Sequence, residues 1–370
     1  ISSEMIHALL PLFLVTSLGV STVVVGLIEG VAEATASVVK VFSGWLSDRW
    51  GNRKALTVAG YALGAITKPV FALAVTPFEV LGARFVDRVG KGIRGAPRDA
   101  LVADVTPPAI RGRAYGVRQA LDTVGGFVGP LLAIILMLAY SGDMRAVFAW
   151  AIVPAGIAVF VALVAVREPR AQHKRDGEAP IRFADLRHAG SAYWSVVAIG
   201  AVFTMARFSE AFLVLRAQSA GLPLEYAPLV LVLMNVAYGV VSTPAGAWSD
   251  RYDRRRILAF SLVPLIGADL ALALSTGIAG VMAGVALWGV HMGMSQGLLS
   301  ALVADTVPAR QRGTAFGVFN LITGAMLLAA SFLAGALWDF YGSGATFIAG
   351  AAFAAASLIG LVFLLNLRRG

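Results

Sequence analysis

The chain has 370 residues, of which 58% are hydrophobic and 14% charged, with no cysteine and a formal net charge of +9. Soluble domains carry about 25% charged residues, so this composition, with a mean hydropathy of +0.79, excludes an ordinary soluble domain. The missing cysteine excludes disulfides, thiolate metal centres and cysteine nucleophiles. A positive balance of this size in a soluble chain would point to nucleic acid, but in a membrane chain it reports basic loops on one side.

Gly, Pro and charge clusters divide the sequence into apolar stretches long enough for a hydrocarbon core of about 30 Å. Twelve spans are expected, near 4–24, 27–46, 55–75, 78–98, 113–139, 145–166, 191–216, 224–247, 255–275, 279–303, 313–338 and 343–366. The chain starts at Ile1 with no basic n-region or cleavage site, so no signal peptide is expected and the first span should begin almost at once. The fourth span is the least apolar. It carries Arg84, Asp87, Arg88, Lys91, Arg94, Arg98 and Asp99, and hydropathy by itself would miss it.

Two features restore that span. With twelve spans, one side's loops collect most of the Lys and Arg. These are Arg49, Arg53, Lys54, Arg94, Arg98, Arg111, Arg113, the cluster Arg167–Arg187, Arg251, Arg254–Arg256, Arg310, Arg312, Arg368 and Arg369. Positive residues stay on the cytoplasmic side, so both termini are expected there. Deleting span 4 would scramble the pattern. The second feature is an internal repeat. LVADVTPPAIRGRAYGV (101–117) realigns with LVADTVPARQRGTAFGV (302–318), pairing Asp104 with Asp305 and Arg111 with Arg312. GWLSDRWGNRK (44–54) similarly matches GAWSDRYDRRR (246–256). The chain is a tandem duplication. Its expected units are 1–166 and 191–370, joined by a cytoplasmic linker, 167–190. The linker is solvated or carries a short interfacial helix using Ile181, Phe183 and Leu186.

Two six-helix halves with G-x-x-x-D-R-x-G-x-R-K after the second span resemble the major facilitator superfamily of secondary transporters. The motif here is Gly44, Asp48, Arg49, Gly51, Arg53 and Lys54; the second copy has Gly246, Asp250, Arg251, Arg255 and Arg256, with Asp253 in place of the second glycine. In the fifth span, Gly116, Gly125, Gly129 and Pro130 are similar to the signature of the drug/proton antiporter branch, although Ala133 and Ile134 stand where that branch carries Gly-Gly. The resemblance implies an all-α membrane protein of two pseudosymmetric six-helix bundles. It further implies a cytoplasmic latch that includes Asp104, Arg111, Asp305 and Arg312. A carboxylate such as Asp48 or Asp250 would there meet the N-terminus of a helix in the other half, where the helix dipole favours an anion. Small residues let helices approach closely in lipid, and Pro130 removes one backbone donor.

Charges within the spans are the other signal. Each costs about 2.5–3.5 kcal/mol at the bilayer centre on insertion scales, so they must face one another or a wet cavity. Glu29, Glu33 and Lys40 form a stripe of span 2, Lys68 lies in span 3, Arg84, Arg88 and Lys91 line span 4 beside Asp87, and Arg118 shares a face of span 5 with Asp122. The second half contributes Arg207, Glu210, Asn235, Asp269, His291, Gln296 and Asn320 more sparsely. Two interpretations stand side by side: fixed ion pairs that orient helices, or at least one carboxylate that exchanges a proton as access changes. Asp122 is the leading proton-coupling candidate, followed by Glu33 and Asp87, then Glu29 and Glu210. Candidate cavity residues are Lys40, Lys68, Arg84, Arg88, Lys91, Arg118, Arg207, Asn235, His291 and Asn320. In the first half, the cations Lys40, Lys68, Arg84, Arg88, Lys91 and Arg118 outnumber the carboxylates Glu29, Glu33, Asp87 and Asp122, which favours an anionic or zwitterionic solute. His291 is either a packed histidine or a proton relay. His7 is ambiguous.

GKGIRG (90–95) fits a dinucleotide fingerprint, but no βαβ unit surrounds it. With no P-loop, metal cluster or nucleophile constellation, neither an ATPase nor an enzyme is expected. The expected activity is proton-coupled efflux of a small organic solute by alternating access, with no cofactor and the proton gradient as energy source. Proton-symport import and movement of a lipid or amphiphile are the alternatives within transport. A non-transporting receptor or scaffold on the same fold is a different class. The expected partners are a small-molecule substrate and membrane lipid, without nucleic acid. A monomer in the cytoplasmic (inner) membrane is expected.

Overall fold

The computed structural model describes residues 1–50, 52–107, 110–166, 190–295, 298–308 and 312–366. Within these every regular element is helical. The expected linker, apart from Gly190, lies outside the described residues, as do Gly51 and Gln296.

The first span is broken into α1 (Ser2–His7), α2 (Leu10–Leu12) and a π turn (Phe13–Ser17). It ends short of the expected residue 24, where Gly19 takes a φ of +65°, a conformation that glycine reaches without penalty. There follow α3 (Thr22–Trp50), α4 (Arg53–Leu73), α5 (Pro77–Val105), α6 (Arg111–Ala139), α7 (Met144–Trp150) and α8 (Ile152–Val164). The second half runs α9 (Ser191–Met205), α10 (Ala211–Ser219), α11 (Leu229–Arg251), α12 (Arg254–Leu274), α13 (Ile278–Ser295), α14 (Leu298–Thr306), α15 (Arg312–Tyr341) and α16 (Ser343–Asn366).

Among the described residues nine helices are long and apolar enough to cross a membrane. The other three of the twelve spans fall short for identifiable reasons. The first is broken, the fourth is too charged, and the seventh is two helices, not the continuous 191–216 expected. That break, at Ala206–Glu210, is held by one local and one distant hydrogen bond: the Ala211 N–H donates to Ser209 Oγ (3.2 Å) and the Ser209 N–H to Ser331 Oγ of α15 (3.2 Å). The fourth span is helical despite its charge. Thr76 opens α5 with a capping box, its hydroxyl accepting from the Glu79 N–H (3.3 Å) while Glu79 Oε2 accepts from the Thr76 N–H (2.9 Å), and Pro77 starts the helix. Both devices satisfy donors that a helix start leaves bare.

The duplication is visible in local structure. Helices α4 and α12 each have 21 residues, and their N-caps are Asn52, accepting from the Ala55 N–H (2.9 Å), and Asp253, accepting from the Arg255 N–H (2.9 Å). Arg53 pairs with Asp104 in the first copy; Arg254 pairs with Asp305 at 2.8 Å in the second. Both pairs and both caps match under the shift that relates Asp104 to Asp305, which sets Arg254 opposite Arg53 and Asp253 opposite Asn52, one residue off the motif alignment that sets Arg255 and Asp253 opposite Arg53 and Gly51.

The chain forms two compact units. The first contains Ile1–Leu9 and the chain from Val31 into the linker; the second contains Leu10–Gly30 with the rest. The start of α3 packs in the second unit through glycines. A Cβ on Gly26 would overlap the Ser331 carbonyl, one on Gly30 would stand 2.8 Å from Leu328, and one on Gly335 would overlap the Thr22 backbone. The end of α15 closes the contact. Asp339 Oδ1 accepts from the Thr22 N–H (3.0 Å) and hydroxyl (2.6 Å), and Oδ2 from the Val23 N–H (3.0 Å). A carboxylate thus caps the N-terminus of α3, where bare donors and the helix dipole both favour it.

Candidate functional site

In the first unit the charged residues gather where α4 meets α5. Gly60 and Gly90 make that approach possible: a Cβ on either would stand 2.6 Å from the other's carbonyl oxygen. Eight residues beyond Gly60, Lys68 Nζ lies 2.8 Å from Asp87 Oδ1. The pair is buried, Lys68 2% and Asp87 3% exposed. Lys68 also donates to Ser3 Oγ (3.3 Å) and stands 5.8 Å from the Phe71 ring centre. Arg84 is buried one turn before Asp87, and Arg88 pairs with Glu33 of α3 at 3.2 Å. Helices α3 and α5 meet through Gly92, whose Cβ would lie 2.6 Å from Val39, and through the Ser43 hydroxyl, which donates to the Gly92 carbonyl (2.9 Å). Lys40 and Lys91 are exposed. Lys91 lies three residues after Arg88, on the same face of α5.

A second charged group joins α5 to α6. Arg118 Nη1 is 3.0 Å from Asp99 and 3.5 Å from Asp122, and Arg98 is 3.6 Å from each of the same two carboxylates. Asp122 is therefore shared by two arginines, with its side chain 47% exposed. The fifth-span glycines have a specific neighbour, since a Cβ on Gly129 would stand 2.6 Å from that of Glu4. Glu4 itself lies 3.8 Å from His7. Neither Glu4 nor Asp99 stands out as a site residue in the sequence. Their positions beside a glycine motif and opposite Arg118 become apparent only in three dimensions.

In the second unit Arg207 and Glu210 sit at the break between α9 and α10, Glu210 as the N-cap of α10. Arg207 stacks over Phe203 at 5.8 Å, and Phe203 is 5.4 Å from His291. His291 is fully buried, with Nδ1 2.6 Å from the Ser261 carbonyl oxygen, so Nδ1 is the donor. Asn235 donates to the Leu231 carbonyl of its own helix (2.9 Å), and Asn320 is half-buried. Glu29 is buried and groups with this unit, whereas Glu33, one turn on, belongs to the first.

Of the latch residues, Gly44 approaches α5, its Cβ position 3.5 Å from that of Ala96. Arg49 and Gly246 are exposed. The side-chain placements at Asp48, Arg111, Asp250, Arg251 and Arg312, and the surroundings of Gly116, lie outside the description. Pro130 lies inside α6 without ending it.

Duplicated helical bundles, a buried ion pair between α4 and α5, and a span broken at Arg207 and Glu210 mark a polytopic membrane protein with charge kept inside it. The family model of the Major Facilitator Superfamily matches residues 1–234 and, overlapping, 198–370. The chain belongs to that superfamily. An uncharacterised MFS-type transporter of Methanocaldococcus jannaschii is 30% identical over 98% of this chain and 91% of its own length. Multidrug resistance protein MdtH of Proteus mirabilis is 30% identical over 36% of this chain and 33% of its own. A crystal structure of a mutant of the nucleoside transporter NupG superposes with a TM-score of 0.81 over 98% of this chain and 95% of that one, at 13% identity. It shares the fold. The protein is a transporter and not an enzyme.

Proposed function

We propose that the protein exports a small anionic or zwitterionic organic solute from the cytoplasm in exchange for protons, as a monomer in the cytoplasmic membrane with both termini inside. The carrying observation is the charge balance of the first unit. Buried Asp87 is matched to Lys68 and half-buried Glu33 to Arg88, while Lys40 and Lys91 remain exposed on α3 and α5. Exposed lysines beside satisfied pairs attract an anionic group without first breaking a pair. The partial likeness to a multidrug resistance protein supports the outward direction. No cofactor is invoked; the proton gradient supplies the energy.

Asp122 is the coupling residue in this proposal. It is shared between Arg98 and Arg118. A shift of α5 against α6 would part it from Arg98 while leaving Arg118, on its own helix, in place. In liposomes with an imposed pH gradient, Asp122→Asn is expected to abolish accumulation of solute while leaving downhill exchange. Accumulation at the wild-type level would refute the assignment. A wild-type protein that moves no solute in a broad vesicle screen, yet binds a partner protein, would replace transport with a receptor role.

A further inference from the structure

The shift that relates Asp104 to Asp305 also relates Lys68 to Asp269 and Asp87 to Trp288. In the first unit these positions hold the buried Lys68–Asp87 pair. In the second, Trp288 is 1% and Asp269 0% exposed, and neither carboxyl oxygen of Asp269 has a hydrogen-bond partner among the described residues. Where one copy keeps an ion pair, the other keeps a solitary acid.

The space around that acid is shaped by other elements. Gly350 of α16 faces it, and a Cβ there would stand 2.7 Å from Oδ2 and 3.0 Å from the Phe208 ring. Phe208 packs on Trp288 (5.4 Å) and Phe347 (5.6 Å). The titratable groups on the helices packed against α12 are engaged or placed elsewhere. On α13, His291 is bonded to the Ser261 carbonyl, about two turns back along α12. On α14, Asp305 is paired with Arg254 at the start of α12. Helix α11 carries Tyr238, Asp250 and Arg251, the last two in its final turn, and α16 carries none. Arg216 of α10 comes nearest in sequence register, but its Nε donates to the Leu272 carbonyl (2.8 Å), one turn beyond Asp269.

An ionised carboxylate buried without a partner costs several kcal/mol, whereas the neutral acid bears only the smaller cost of a polar group. A metal cation needs several oxygen ligands, and the neighbours here are aromatic carbon and a glycine. A proton is the cation that fits. We propose that Asp269 is a proton-binding site of the second unit, occupied in this conformation, which exchanges its proton when α12 and α16 separate enough to admit water. Its part in transport rests on the proton-coupled reading above; its occupancy does not.

The test is infrared spectroscopy of the whole protein in lipid vesicles at neutral pH, in H2O and D2O. The wild-type minus Asp269→Asn difference should contain a carboxylic-acid carbonyl band that shifts in D2O. Gly350→Ala, which keeps the acid but presses a methyl group on it, should move that band, and it provides the reading if Asp269→Asn does not fold. In the same vesicles Asp269→Asn should keep downhill exchange and lose the pH dependence of transport. No band in the difference overturns the site. A band that never exchanges in D2O, with an unchanged pH profile in Asp269→Asn, overturns the exchange and leaves a structural acid. Asp122→Asn serves as the separate control: losing accumulation there, or failing to, leaves the Asp269 band in place.

Discussion

Asp87→Ala is expected to destabilise the first unit by about 3–5 kcal/mol, because it leaves the Lys68 ammonium buried and uncompensated. The stranded cation sets the size of the effect. Lys68 is 2% exposed, and its other polar neighbour is the Ser3 hydroxyl at 3.3 Å, which cannot balance a charge. Asp87→Ala in a Lys68→Met background should therefore cost far less, since the uncompensated charge is gone. The four proteins form a double-mutant cycle, read by equilibrium unfolding in mixed micelles. A coupling near zero would mean that the pair is solvated in the membrane-embedded protein. The Arg88–Glu33 pair is a useful contrast, because Glu33 has its side chain 33% exposed and water can replace part of the interaction.

The second large effect is expected at the cap on α3. Asp339→Ala removes three hydrogen bonds, two of them to backbone donors at a helix start, which at an N-cap is worth about 0.5–2 kcal/mol. Its geometric consequence is larger than its energy, since the cap closes a contact that Gly26, Gly30 and Gly335 make tight. The chain has no cysteine, so Leu27→Cys and Phe332→Cys, at two exposed positions, take spin labels without background. The distance distribution between them should lengthen and broaden in Asp339→Ala, while Asp339→Asn, which keeps an acceptor, should give an intermediate result. A distribution identical to the parent's would show that the glycine contact holds without the cap. Gly26→Leu should then separate the helices where Asp339→Ala did not, because the Ser331 carbonyl occupies the space the new side chain needs.

These two sites differ in how far they could be read from the sequence. Lys68 and Asp87 were both legible as charges within spans, and the cost of an isolated charge in a membrane requires some partner. Which partner was not legible, because it depends on how closely α4 and α5 approach at Gly60 and Gly90. Asp339 gave no such signal. It stands at the end of a span, where an aspartate is ordinary, and its partners at Thr22 and Val23 lie more than three hundred positions away. The break at Ala206–Glu210 was hidden for a related reason. Arg207 and Glu210 mark the place, but no Gly or Pro interrupts 201–216, and it is Ser331 of a distant helix that accepts from the Ser209 N–H.

By itself the sequence determined the class, the duplication and the family. Composition, span length and repeated motifs are properties of the chain that need no contact between distant residues. The charged fourth segment is the clearest case: the repeat called for a helix there, and Pro77–Val105 is one. Only the tertiary structure decided which charges meet. It paired Lys68 with Asp87, divided Asp122 between two arginines, left Asp269 alone against Gly350, and packed Leu10–Gly30 in the second unit. The physical reason is that a charge acts over a few ångströms, and glycines and helix ends far apart in the chain decide which charges come that close.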